Sequence, residues 1–168
     1  MMEERLDTSR RSVFMAGIHD GVPIALGYFV VAFTLGILAK TAGLTPWQGF
    51  VTSAVNIASA GEYAGFTVIA AQAPYLEIAV LTLVANARYF LMAAALTQRF
   101  APETPLLHRL AVSFGVTDEI FGITVARGGA LNPYYNYGAM AISVPAWAAG
   151  TSAGTLAGGI LPSAVVSA

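Results

Sequence analysis

Five apolar runs, each close to the length that a helix needs to cross a hydrocarbon layer, constrain this chain more than any other feature. They extend from Ser12 to Ala39, Gln48 to Ala71, Leu76 to Leu96, Leu110 to Val125 and Tyr137 to Leu161, with short connections between them. Only 10% of the 168 residues are charged, against roughly 25% in an ordinary soluble domain. Too few charges remain to cover an outer face in water, so the solvent for that face is lipid. Such a chain must be helical, because lipid offers no partner to unpaired backbone groups and a barrel would show short alternating strands. The expectation is therefore a single all-α, multi-pass domain over residues 1–168, with about five transmembrane helices and a polar N-terminal arm over 1–11. Trp47, Tyr75, Tyr134, Tyr135 and Tyr137 stand at run ends, where an aromatic belt would meet the interface.

Several function classes fall away. The net charge of -1 and the lack of a basic run imply no nucleic-acid partner. Cysteine is absent, and His19 and His108 stand in no ligand spacing, so no metal is expected. No pattern implies a cofactor. The N-terminus is too acidic for a signal sequence, which keeps the first run in the protein.

Gly17, Gly21 and Pro23 surround the polar pair His19 and Asp20 inside the first run, which is too long for one straight crossing. This predicts a discontinuous first helix. Gly17-Ile18-His19-Asp20 recurs as Gly115-Val116-Thr117-Asp118, and Leu44-Thr45-Pro46-Trp47 recurs as Leu131-Asn132-Pro133-Tyr134. Either the similarity is chance among glycine- and alanine-rich helices, or residues 12–97 and 107–168 form an inverted repeat whose second copy is incomplete. Arginine placement conflicts with the latter. Arg5, Arg10 and Arg11 at one end and Arg99 and Arg109 after the third run all mark a cytoplasmic side, which three crossings cannot satisfy. Gly150, Gly154 and Gly158 form a close-packing face, for which the incomplete repeat leaves a second subunit as the expected neighbour.

Polar groups inside apolar runs are costly and mark functional positions. Asp20, Glu62, Asn86, Arg88, Asp118 and Glu119 qualify, with His19 beside the first. Arg88 stays charged and must meet a carboxylate, that of Glu62 or Glu119 or that of a ligand. A carboxyl group in a low-dielectric site can hold a proton, so Glu62, Asp118 and Glu119 are candidates for coupling. Gly61 and Gly65 around Glu62 read as packing.

Asn-Ala-Arg-Tyr-Phe-Leu-Met-Ala from Asn86 and Val-Thr-Asp-Glu-Ile-Phe-Gly-Ile from Val116 resemble two motifs of the AzlC family, the large subunit of bacterial branched-chain amino acid exporters. The glycine- and proline-bearing opening from Gly17 to Gly27 fits as well. Glu62-Tyr63 stands where the family often has a Gln-Phe-like pair, and Tyr89 where it has His. Its members usually continue beyond a Leu-Pro such as Leu161-Pro162. The resemblance implies export of valine, leucine, isoleucine or analogues across a bacterial inner membrane, with a small AzlD-type membrane subunit or a second copy of the chain as partner. Arg88, helped by Asn86, would hold the substrate carboxylate, and Asp20, Asp118 or Glu119 its ammonium. Glu62 and His19 would serve coupling or an ion pair, and Phe66, Phe90 and Phe121 would shape the side-chain pocket. The expectation is a transporter and not an enzyme. The alternatives are a noncatalytic membrane scaffold subunit and, further off, an intramembrane hydrolase.

Overall fold

The computed structural model describes residues 2–160, with side chains from Arg10 onward. Arg5 as a side chain and the Leu161-Pro162 pair lie outside the described residues. The described chain is all helical: α1 (Met2–Thr41), α2 (Pro46–Val55), α3 (Ser59–Ala70), α4 (Tyr75–Thr97), α5 (Leu106–Phe114), α6 (Asp118–Ala126) and α7 (Pro133–Gly158).

The helix breaks do not fall where the glycine and proline pattern put them. The expected discontinuity of the first helix is absent, since α1 runs unbroken through Gly17, Gly21 and Pro23. An interior proline costs one backbone bond, whereas unwinding would strip partners from several groups at once in an apolar solvent. The second and fourth apolar runs are the interrupted ones. The chain leaves helical geometry at Asn56–Ala58 between α2 and α3, and at Gly115–Thr117 between α5 and α6. Thr117 restarts the helix as its N-cap, its hydroxyl accepting from the Ile120 N–H at 3.3 Å. The motif ending at Asp118 thus opens a helix, while its counterpart ending at Asp20 lies inside one.

The second recurring motif has a local explanation. Thr45 caps α2 in a reciprocal box with Gln48, and Pro46 follows at the first helical position. Asn132 accepts from the Tyr134 N–H at 3.1 Å, and α7 begins at Pro133. A polar cap followed by proline is the chemistry of a helix start, and it appears at both sites.

The chain divides into two compact units, Met1–Ala25 with Arg88–Val144 and Leu26–Ala87 with Pro145–Ala168. In the first, α1 and α7 run in the same direction and touch through backbone. A Cβ on Gly17 would strike the Tyr135 carbonyl, and one on Gly138 would strike that of Phe14. Leu96, Phe100, Val112, Val116 and Leu131 form a buried apolar cluster in this unit. In the second unit the same helices continue the same kind of contact, Gly36 against Thr151 and Gly154 against Phe33 and Gly36. The Gly150, Gly154 and Gly158 face, expected to await a second subunit, is therefore filled by α1: Phe29 and Ala32 meet Gly150, and Lys40 meets Gly158. Small residues gain from another backbone and not from mobile lipid tails, and here that backbone comes from the same chain.

Arg99 and Arg109, which suggested a cytoplasmic connection, are both committed to carbonyls. Arg109 donates to the main-chain oxygens of Thr104 at 3.1 Å and Ala101 at 3.0 Å. Arg99 thus serves the carbonyls at the end of α6 and Arg109 those of the connection before α5, so each has a local partner.

Glycine substitution distinguishes contact from open helix surface. Gly154→Ala should lower stability in detergent by about 1–3 kcal/mol through overpacking. Gly27→Ala, with nothing near its Cβ, should leave stability unchanged or raise it by up to about 1 kcal/mol. Thermal unfolding of the two variants checks the pair, and equal shifts would refute the close approach.

Candidate functional site

Three polar clusters emerge, two in the first unit and one in the second. The first cluster is an ion pair. Arg88, two turns from the end of α4, places Nη1 2.9 Å from Oδ2 of Asp118, the first residue of α6. The carboxylate partner is thus Asp118, whereas Glu62 or Glu119 was expected. Glu119 is exposed on the next position and adds its field to the same guanidinium. The guanidinium also lies 5.3 Å from the centre of the Tyr89 ring. Both members of the pair keep almost half of their side-chain surface open, 46% and 48%. A guanidinium has five N–H donors, so this contact leaves capacity for another carboxylate. The start of α6 adds the positive end of a helix dipole beside Asp118.

The second cluster gathers around Asp20. Its carboxylate accepts from the Tyr135 hydroxyl at 2.7 Å and contacts His19 Nδ1 at 3.1 Å, with Arg127 Nη1 at 3.7 Å. Arg127 stacks over the Tyr135 ring, 4.3 Å from its centre. Next to these residues is a cavity of about 150 Å³, whose lining includes Val13, Arg99, Thr124, Arg127 and Asn136. Asn136 donates to the Thr124 hydroxyl at 2.8 Å, and its buried Oδ1 has no partner. Arg99 closes the α6 end of this region by donating to the carbonyls of Val125 at 3.0 Å, Arg127 at 2.5 Å and Gly129 at 2.7 Å. A cation over the last carbonyls of a helix is the favourable end of its dipole.

The third cluster, in the second unit, surrounds Glu62 in the first turn of α3. This carboxyl is 1% exposed. It accepts from Trp147 Nε1 at 2.6 Å and touches the Ser53 hydroxyl at 2.9 Å, which in turn lies 2.7 Å from the Thr151 hydroxyl. Asn86 packs against Gly61, so closely that a Cβ there would lie 2.6 Å from Asn86 Nδ2.

Among the expected site residues, Arg88 and Asp118 meet, Asp20 and His19 meet, and Glu62 makes neither kind of ion pair. The three phenylalanines do not behave alike: Phe66 is buried, Phe121 packs on the apolar cluster of the first unit, and Phe90 is 68% exposed. The sequence reading missed Arg127, Tyr135, Ser53, Trp147 and Thr151. Trp147 carried the clearest signal, because an indole N–H inside an apolar run requires an acceptor. No group of three or more metal-ligating residues occurs among the described residues.

Among the described residues, two helices, Arg10–Thr41 and Tyr75–Thr97, are long and apolar enough to cross a membrane. The second exposes nearly all of its surface, including Leu76, Leu83, Val84 and Leu91. The class that results is an all-helical protein with charged clusters embedded in apolar helices. The chain belongs to the AzlC family, whose sequence profile (AzlC protein) matches residues 23–161. It is 29% identical over 153 residues to an uncharacterized membrane protein of Archaeoglobus fulgidus, covering 91% of this chain and 66% of that one. It is 31% identical over 117 residues to the inner membrane protein YgaZ of Escherichia coli, covering 69% and 47%. An uncharacterized membrane protein of Helicobacter pylori is 28% identical over 114 residues, covering 66% and 49%. The chain thus spans between about half and two thirds of the length of these relatives, and a membrane location is supported. No solved structure matches it.

Removal of the Arg99 clamp tests the electrostatic account of the α6 terminus. Arg99→Met should cost about 1.5–3 kcal/mol, the range for hydrogen bonds to a charged group, and should speed amide exchange across residues 125–131. Unchanged exchange there would show that the carbonyls need no clamp.

Proposed function

We propose that this chain forms the substrate-handling part of a multi-pass transporter that exports branched-chain amino acids. The observation that carries the reading is the half-open Arg88–Asp118 ion pair at the start of α6, just after a helix break. A free amino acid carries the same two charges on one carbon. Its carboxylate can take the unspent donors of Arg88 while its ammonium meets Asp118, with Glu119 adding negative charge close by. An exposed pair gives up its internal contact at small cost, because its own net worth is small. Ligand exchange there is therefore easy, which transport requires.

The fold supports the reading in two ways. The interrupted segments α2/α3 and α5/α6 have halves too short to cross alone, and broken helices of this kind expose backbone ends where a solute must be held. The shared direction of α1 and α7 fits five crossings, which bring the first and last helix through the membrane the same way. The bare apolar surface of α4 would face lipid or a small AzlD-type subunit in a plasma membrane. The reading involves no chemical step.

Two variants in proteoliposomes test it. Arg88→Gln should keep the protein folded and abolish flux of labelled valine, leucine and isoleucine. The double exchange Arg88→Asp with Asp118→Arg should likewise keep the protein folded without restoring flux, because the ligand's charges would then meet the wrong partners. Normal flux in Arg88→Gln, or full recovery in the double exchange, would reduce the pair to a structural contact.

A further inference from the structure

Among the described residues, Glu62 is the buried carboxyl that the proposed substrate contact does not use. Its carboxyl is almost wholly enclosed, and among the described residues no Arg, Lys or His lies within ion-pair distance of it. An isolated carboxylate is costly to bury, and such groups usually neutralise. The groups that face it are Ser53 from α2 and Trp147 and Thr151 from α7, all uncharged, with Tyr28 of α1 edge-on to Trp147 at 5.4 Å.

The hydrogen bonds allow two complete arrangements on one set of heavy atoms. With Glu62 ionised, Trp147 donates to Oε1, Ser53 donates to Oε2 and Thr151 donates to Ser53. With a proton added to Oε2, Glu62 donates to the Ser53 oxygen, Ser53 donates to Thr151, and Thr151 turns to the Trp147 carbonyl 3.5 Å away. The serine and threonine hydroxyls merely reverse direction, and Trp147 serves both states. One proton is gained, one negative charge is neutralised, and no donor is left without an acceptor. Position adds a counterweight, since Glu62 sits in the first turn of α3, where the helix dipole favours the anion. A site with two complete arrangements on one set of heavy atoms can both load and unload.

We infer that Glu62, with Ser53, Thr151 and Trp147, is a proton-binding site that couples movement of the solute to movement of a proton. The coupling role rests on the transport reading, and proton binding at Glu62 does not. The experiment therefore has two arms on the full chain. Infrared difference spectra across a pH titration should show the carbonyl band of a protonated carboxylic acid that Glu62→Gln removes. Ser53→Ala should retain the band at higher frequency, because its hydrogen-bond acceptor is gone. Absence of any band lost in Glu62→Gln would overturn the site whatever the protein transports. In proteoliposomes, Glu62→Gln should keep exchange of labelled against unlabelled amino acid and lose accumulation driven by a pH gradient. Gradient-driven accumulation equal to that of the unsubstituted protein would overturn the coupling. If the unsubstituted protein moves no amino acid, the coupling falls with the transport reading, while the infrared arm still decides proton binding.

Discussion

Backbone meets backbone where α1 lies against α7, and the remaining structure depends on that contact. Glycines at Gly17 and Gly138 in one unit, and at Gly36 and Gly154 in the other, leave no room for a side chain between the two helices. In lipid no hydrophobic force drives helices together, so close van der Waals approach has to do so. The result places functional side chains at fixed positions. Tyr135, one turn from the Gly138 contact, reaches Asp20 of α1, and Trp147 and Thr151, beside the Gly150 contact, reach the Glu62 cluster.

The two interrupted segments satisfy a different constraint. Every chain break in an apolar solvent leaves helix-end groups that need partners. Thr117 meets this need by capping α6, and Arg99 meets it at the other end of the same helix. A nine-residue helix with a capped start and a clamped finish is a rigid platform for the Asp118 carboxylate. The break is thus compatible with order, and it brings charge into a region that an unbroken helix would have kept apolar.

Much of this was legible in the sequence, and the misses have physical causes. Apolar run length located the helical stretches but not the splitting of two of them, and Thr45-Pro46 and Asn132-Pro133, noted in the sequence as a recurring motif, stand at two helix starts. The break was assigned to Pro23 because proline is the strongest local signal for one. A single lost bond proved tolerable in α1, while the real breaks came at Asn56–Ala58, which carries neither glycine nor proline, and at Gly115–Thr117. Asp20, Arg88, Asp118 and Glu62 were all recognised as expensive. Their distant partners were not, because separations such as Arg88 to Asp118, Glu62 to Trp147 and Asp20 to Tyr135 carry no register information. His19 beside Asp20 was legible, whereas Ser53, nine residues from Glu62, was missed. The glycine face of α7 was correctly read as a packing surface, and its partner was wrongly placed on another subunit.

Binding measured by calorimetry tests the central claim most directly, since the half-open Arg88–Asp118 pair is held to recognise both charges of one ligand. Purified protein would be titrated with L-valine, with isobutylamine, which lacks the carboxylate, and with isovaleric acid, which lacks the ammonium. The account predicts saturable heat for L-valine alone, lost in Arg88→Gln. Equal binding of either single-charge analogue, or undiminished binding of L-valine to Arg88→Gln, would contradict it.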